Sequence, residues 1–120
     1  MGTWGEETFD NDAARDYLEM LTMQLVARIK EVAADESRLE PDEDGESLFM
    51  PSVEILALLC ERYNAAPPRA VTVQKWREQY LALFDRDLDG PDAAFKAGRR
   101  KVIENTFRWL ESLAESYHDH

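Results

Sequence analysis

The run Asp85-Arg86-Asp87-Leu88-Asp89-Gly90 is the part of the chain whose residue types and spacing come nearest to a recognisable chemistry. Three carboxylates at alternate positions ahead of a glycine form the first half of a calcium loop of the EF-hand kind, and residues 80–84 before them read as the end of an entering helix. The second half departs from that pattern. A loop begun at Asp85 reaches Pro91 at its seventh place, Ala93 at its ninth and Lys96 at its twelfth, where a bidentate glutamate belongs. A cation there removes two oxygen ligands and adds repulsion. Asp85, Asp87 and Asp89 therefore make a divalent-cation module only with oxygens from elsewhere, and the favoured expectation is a solvated turn between helices. No cofactor is expected, with calcium as the alternative.

Other chemistry is sparser. His118, Asp119 and His120 place two imidazoles and a carboxylate at the terminus, which suits adventitious zinc or nickel on a frayed tail, 118–120. The chain has no other histidine and no glycine-rich phosphate loop, and its single cysteine, Cys60, lies in the apolar run 56–60. The common nucleophile and base pairings cannot be assembled from this set. A hydrolase with an all-carboxylate site is a further alternative. It would draw on Glu54, whose burial on a largely apolar helix would raise its pKa, although a first-turn acid at a helix N-terminus explains the same residue. Lys96, Arg99, Arg100 and Lys101 could meet phosphate, but in so acidic a chain they are expected to pair with its carboxylates.

Charge is the outlying property of the composition. With 25 acidic against 14 basic side chains the formal charge is −11, which opposes strong nucleic-acid binding and favours a basic protein as partner. Seven of the acids fall within residues 35–46. Their mutual repulsion predicts an acidic, partly mobile loop over 35–50, and Glu40, Asp42, Glu43 and Asp44 are the expected partner-facing residues. Trp109, beside Phe107 and Arg108, is a second candidate contact of the hot-spot type. The functional expectation is a non-enzymatic protein-binding module of the inhibitor, immunity or adaptor type. The sequence holds no apolar run of membrane-spanning length and no basic leader, so a cytoplasmic location is expected; the oligomeric state is left open.

The elements that must position these groups are helical. Leu18, Leu21, Leu25, Ile29 and Val32 recur at threes and fours and predict a helix over 12–34. A second, the most apolar, is expected from about residue 51 to 63, ended by Asn64 and the Pro67-Pro68 pair. The third is expected to start with Thr72 as cap and to bury Val73, Trp76, Tyr80, Leu83 and Phe84. The fourth is expected over 91–117, with Phe95, Val102, Ile103, Thr106, Leu110, Leu113 and Tyr117 as its apolar stripe. Gly98 in its interior suggests a helix crossing closely there. The fold class is all-α: a single domain over 1–120, a compact bundle of about four helices with the acidic loop between the first and second.

The opening residues carry one further pattern. Met1-Gly2-Thr3-Trp4-Gly5 is followed by Phe9-Asp10-Asn11-Asp12, Ala14 and Asp16-Tyr17. It reads as an aromatic plug, with Trp4 turned back by its flanking glycines, and then a helix start that Asp10, Asn11 or Asp12 can cap. The pattern resembles the N-terminal motif M-G-x-W-G…F-[DE]-[ND]-D-x-A-x-D-[WFY] of an uncharacterised, mainly bacterial domain-of-unknown-function family. That resemblance implies a small helical domain and brings no reaction with it.

Overall fold

A computed structural model describes residues 3, 5–86 and 92–119. Their regular structure is helical: α1 (Asp12–Ala33), α2 (Glu36–Leu39), α3 (Met50–Tyr63), α4 (Ala70–Asp85) and α5 (Ala93–His118), with wound turns over Pro41–Phe49 joining α2 to α3. Outside the helices, Thr3 forms an isolated antiparallel bridge with Asn11. The expected all-α bundle is present, its four long helices being α1, α3, α4 and α5.

Helix α1 begins where a side chain satisfies its free amides. Asn11, in extended backbone, accepts from the Ala14 N–H at 2.8 Å. Its neighbours do other work: Asp10 accepts from the Glu7 amide at 3.0 Å, and Asp12 is the first helical residue. A Cβ at Gly5 would first meet the Asp10 carboxylate, a side chain that can turn aside, and no described glycine has positive φ. Trp4 lies outside the described residues, while Phe9 packs on Tyr63 with ring centroids 4.7 Å apart. The inner face of α1 carries Leu18, Thr22, Ile29 and Val32, and the buried Thr22 hydroxyl donates to the Leu18 carbonyl. Leu21, expected in the apolar stripe, is instead exposed.

Helix α3 is central, with α1, the Pro41–Phe49 turns and α5 all packed against it. Met50, Val53, Leu56, Ala57 and Cys60 are buried, whereas Ile55 and Leu58 face outward. Asn64 ends it in the left-handed region, φ 57°, which a short polar side chain tolerates. Two expected starts move. Helix α4 begins at Ala70, directly after extended Arg69, so Thr72 lies inside the first turn rather than capping it. Helix α5 begins at Ala93.

Along α5, Ile103, Thr106, Phe107, Leu110 and Ala114 turn inward, but Phe95 and Val102 of the expected stripe are exposed. Among the described residues the close crossing expected at Gly98 is absent: a Cβ there would meet none of them within 4 Å. Of the tail read as frayed, 118–120, His118 instead closes α5 and its Nε2 donates to the Pro67 carbonyl at 2.8 Å, while His120 lies outside the described residues. That bond fixes the end of α5 to the connection between α3 and α4.

The largest correction concerns the acidic segment. Its seven acids predicted a loop, yet α2 and the Pro41–Phe49 turns wind through nearly all of it. Asp35 caps α2 by accepting from the Ser37 amide at 3.1 Å. The following turns are wide, with the Gly45 amide bonded to the Glu40 carbonyl and the Met50 amide to that of Gly45, and they break regular geometry at Glu43. Apolar anchors at both ends account for the order. Leu39 and Phe49 are 2% and 0% exposed, and the Phe49 ring lies 5.4 Å from Tyr80 and 6.0 Å from Phe107. Burial of two such side chains contributes several kcal/mol, about 1.5–3 each, which exceeds the screened repulsion among surface acids. Gly45 completes the fit. A Cβ there would lie 2.3 Å from the Leu39 carbonyl oxygen and 2.8 Å from the Tyr80 ring.

Candidate protein-interaction surface

The packed turns set the geometry of the four acids expected to face a partner. Asp44 accepts from Arg38 Nε at 2.8 Å, and the same guanidinium reaches Glu31 of α1 at 2.9 Å. These two carboxylates, Asp44 first, raise the Arg38 pKa. Glu40 faces Arg86 at 3.7 Å, and Arg86 also holds Glu36 at 2.8 Å. Asp42 and Glu43, by contrast, are exposed and enter none of the described ion pairs. Of the four, then, two brace the segment against α1 and the end of α4, and two are displayed. At the cap, a hydrogen bond from the Ser37 hydroxyl lowers the Asp35 pKa, with further help from backbone amides.

The basic group near the start of α5 pairs with acids, as expected from the charge balance. Arg99 meets Glu46 at 2.8 Å, and Arg100 grips Asp85 through Nε at 2.8 Å and Nη2 at 3.0 Å while also contacting Glu104. The bonds to Asp85 raise the Arg100 pKa. Asp85, one of the three candidate cation ligands, is thus the carboxylate half of a bidentate clamp between α4 and α5. Asp87 and Asp89 lie outside the described residues, and among the described residues no cluster of three or more metal-ligating side chains forms. Glu54 is exposed, so the burial on which an all-carboxylate site depended is not there.

Trp109 sits half-buried at the edge of the core, one turn from the buried pair Thr106 and Phe107. Two residues on, Glu111 accepts from Gln74 at 2.6 Å and Arg77 at 3.2 Å, joining α4 to α5. Cys60 is 6% exposed, and burial pushes its thiol pKa up to about 12. Such a thiol is a packing group rather than a nucleophile. Among the described residues no helix is long and apolar enough to cross a membrane.

The sequence reading missed a surface on α1. Tyr17, Met20 and Met23 stand 56%, 45% and 65% exposed on α1. A groove of about 570 Å³, lined by Met23 and its neighbours on α1, by the connection 64–68 and by Tyr117, adjoins them. The signal was present in the spacing: Met20, Met23 and Ala27 follow each other at three and four, off the face that carries Leu18 and Ile29.

The model of the family described as a domain of unknown function, DUF4259, matches residues 2–119, and the chain belongs to that family. No curated protein and no solved structure matches it.

Proposed function

We propose that the chain is a non-enzymatic protein-binding module of the inhibitor, immunity or adaptor type, acting in the cytoplasm, that meets a basic partner through its acidic surface. One observation carries this reading: Asp42 and Glu43 are exposed on turns that Leu39, Gly45 and Phe49 hold to the core, while Arg38, Arg86, Arg99 and Arg100 are engaged by carboxylates of the chain itself. These two carboxylates are therefore displayed on an anchored edge. A rigid edge gives up little conformational entropy on association, and its field raises the rate of encounter with an oppositely charged surface.

Asp44 and Glu40 support this function indirectly, by bracing the segment, and Asp42 and Glu43 are the direct contacts. The test is capture of a partner, identified by crosslinking and then purified, by the wild-type chain and by D42N/E43Q. The double variant is expected to melt like the wild type, to associate more slowly at low salt and to lose its difference from the wild type at high salt. Capture unchanged by the variant at low salt overturns the assignment of this edge.

A further inference from the structure

The outer face of α1 is charged in a particular order. At about 100° per residue, Asp16, Glu19, Met20, Met23, Val26, Ala27 and Lys30 all lie within about 60° of the direction of Met23. Acids occupy the N-terminal end of this stripe, methionines its middle and a lysine its C-terminal end. Glu19 and Lys30 are separated by about 16 Å of helix, too far to pair with each other. Among the described residues, Asp16, Glu19 and Lys30 enter no ion pair within the chain.

We propose that two copies of the chain pair through this face, α1 against α1 in antiparallel orientation about a twofold axis near Met23. The stripe is complementary to its own inversion. Turned end for end, the acids Asp16 and Glu19 of each copy come over Lys30 of the other, and the exposed Met20 and Met23 of both meet at the centre. The axis produces every such contact twice. Parallel pairing would instead stack like charge on like. A wholly basic partner would satisfy the acids but oppose Lys30, so the second copy is the occupant that fits the whole stripe. The groove of about 570 Å³ adjoining Met23 and Val26 gives the second copy's methionines a place to enter, and the flexible, polarizable thioether suits an irregular apolar wall of Ala66 and Pro67. A single helix pair gives an interface at the small end of the specific range, so the dimer is expected to dissociate in the micromolar range. The pairing uses none of the acids of the acidic edge, and it stands or falls independently of the partner proposed above.

Sedimentation equilibrium of the full chain, from micromolar to near-millimolar concentration, tests this. The expected mass rises from the 13.9 kDa of one chain to twice that value. Met23→Glu, a change at an exposed position, is expected to keep the circular dichroism spectrum and hold the mass at the monomer. Lys30→Glu is expected to raise the dissociation constant about tenfold or more, and adding Asp16→Lys and Glu19→Lys to it is expected to restore pairing. A wild-type chain that stays monomeric throughout, a dimer indifferent to Met23→Glu, or a combined charge reversal that fails to restore pairing each overturns the proposal.

Discussion

The segment 36–49 and the outer face of α1 relate composition to structure in opposite ways. The first is crowded with acids, yet it is tied into the body by Leu39, Gly45 and Phe49 and by the Arg38 and Arg86 ion pairs. The second belongs to a regular amphipathic helix, yet it leaves Met20 and Met23 in solvent. Whether a stretch packs is decided by a few anchored apolar groups and the space around them, and its mean polarity is a weak guide. The acidic segment is thus anchored to the core, and the helix face leaves apolar side chains exposed.

This contrast should be visible in stability. Phe49→Ala is expected to cost the most, about 3–5 kcal/mol by urea denaturation, because the ring is fully buried between Tyr80 and Phe107. A loss under 1 kcal/mol would mean that the segment is not anchored there. Gly45→Ala is expected to cost about 1–3 kcal/mol, since the new methyl meets the Leu39 and Glu40 carbonyls, which are backbone and cannot swing aside. Unchanged stability would detach the turns from Tyr80.

Alkaline pH probes the same core. Burial raises the Cys60 thiol from 9.0 to about 12 and, as the first cause, the Tyr80 phenol from 10.0 to about 12. In both groups the neutral form is favoured in the folded state, so above pH 9 the unfolded chain holds fewer protons. Their contribution is then complete below pH 9 and is lost as pH rises toward 12. Denaturation midpoints should fall across that window, and Cys60→Ala should flatten the lower part of the fall; a pH-independent midpoint contradicts the burial. Gly98→Ala is expected to stabilise α5 by about 0.5–1 kcal/mol, because its added methyl meets none of the described residues. A loss instead would restore a close crossing at that point. Smallest of all, Met23→Glu at low protein concentration should change stability by no more than about 0.5 kcal/mol. A larger loss would place Met23 in the core rather than on the open face.

Much of this architecture was legible in the residues. The spacing of apolar positions located α1, α3, α4 and α5, and Asn64 with the proline pair marked the end of α3. The surplus of acids correctly implied that Arg99 and Arg100 would be engaged. Two misreadings have a common origin in treating local composition as decisive. Acid content hid the anchors of segment 36–49, although the run Leu48-Phe49-Met50 and Gly45 stood within or beside it. Gly98 was given a packing role that only the neighbouring helices could grant, and they leave the space open. At the candidate site the residue types were readable, but the division of labour was not. Which acids brace and which are displayed depends on where Arg38 and Arg86 come to rest, a matter of tertiary placement.

The most direct measurement is amide hydrogen exchange, resolved by residue, across the acidic segment. The Leu39, Gly45 and Met50 amides, on residues that are themselves buried, donate to the Asp35, Glu40 and Gly45 carbonyls. They are expected to exchange only through global or near-global opening, with protection close to that of the α3 amides and far above that of a solvated loop. Exchange of these three amides at the rates of an unstructured chain, while α3 remains protected, would contradict an ordered acidic edge.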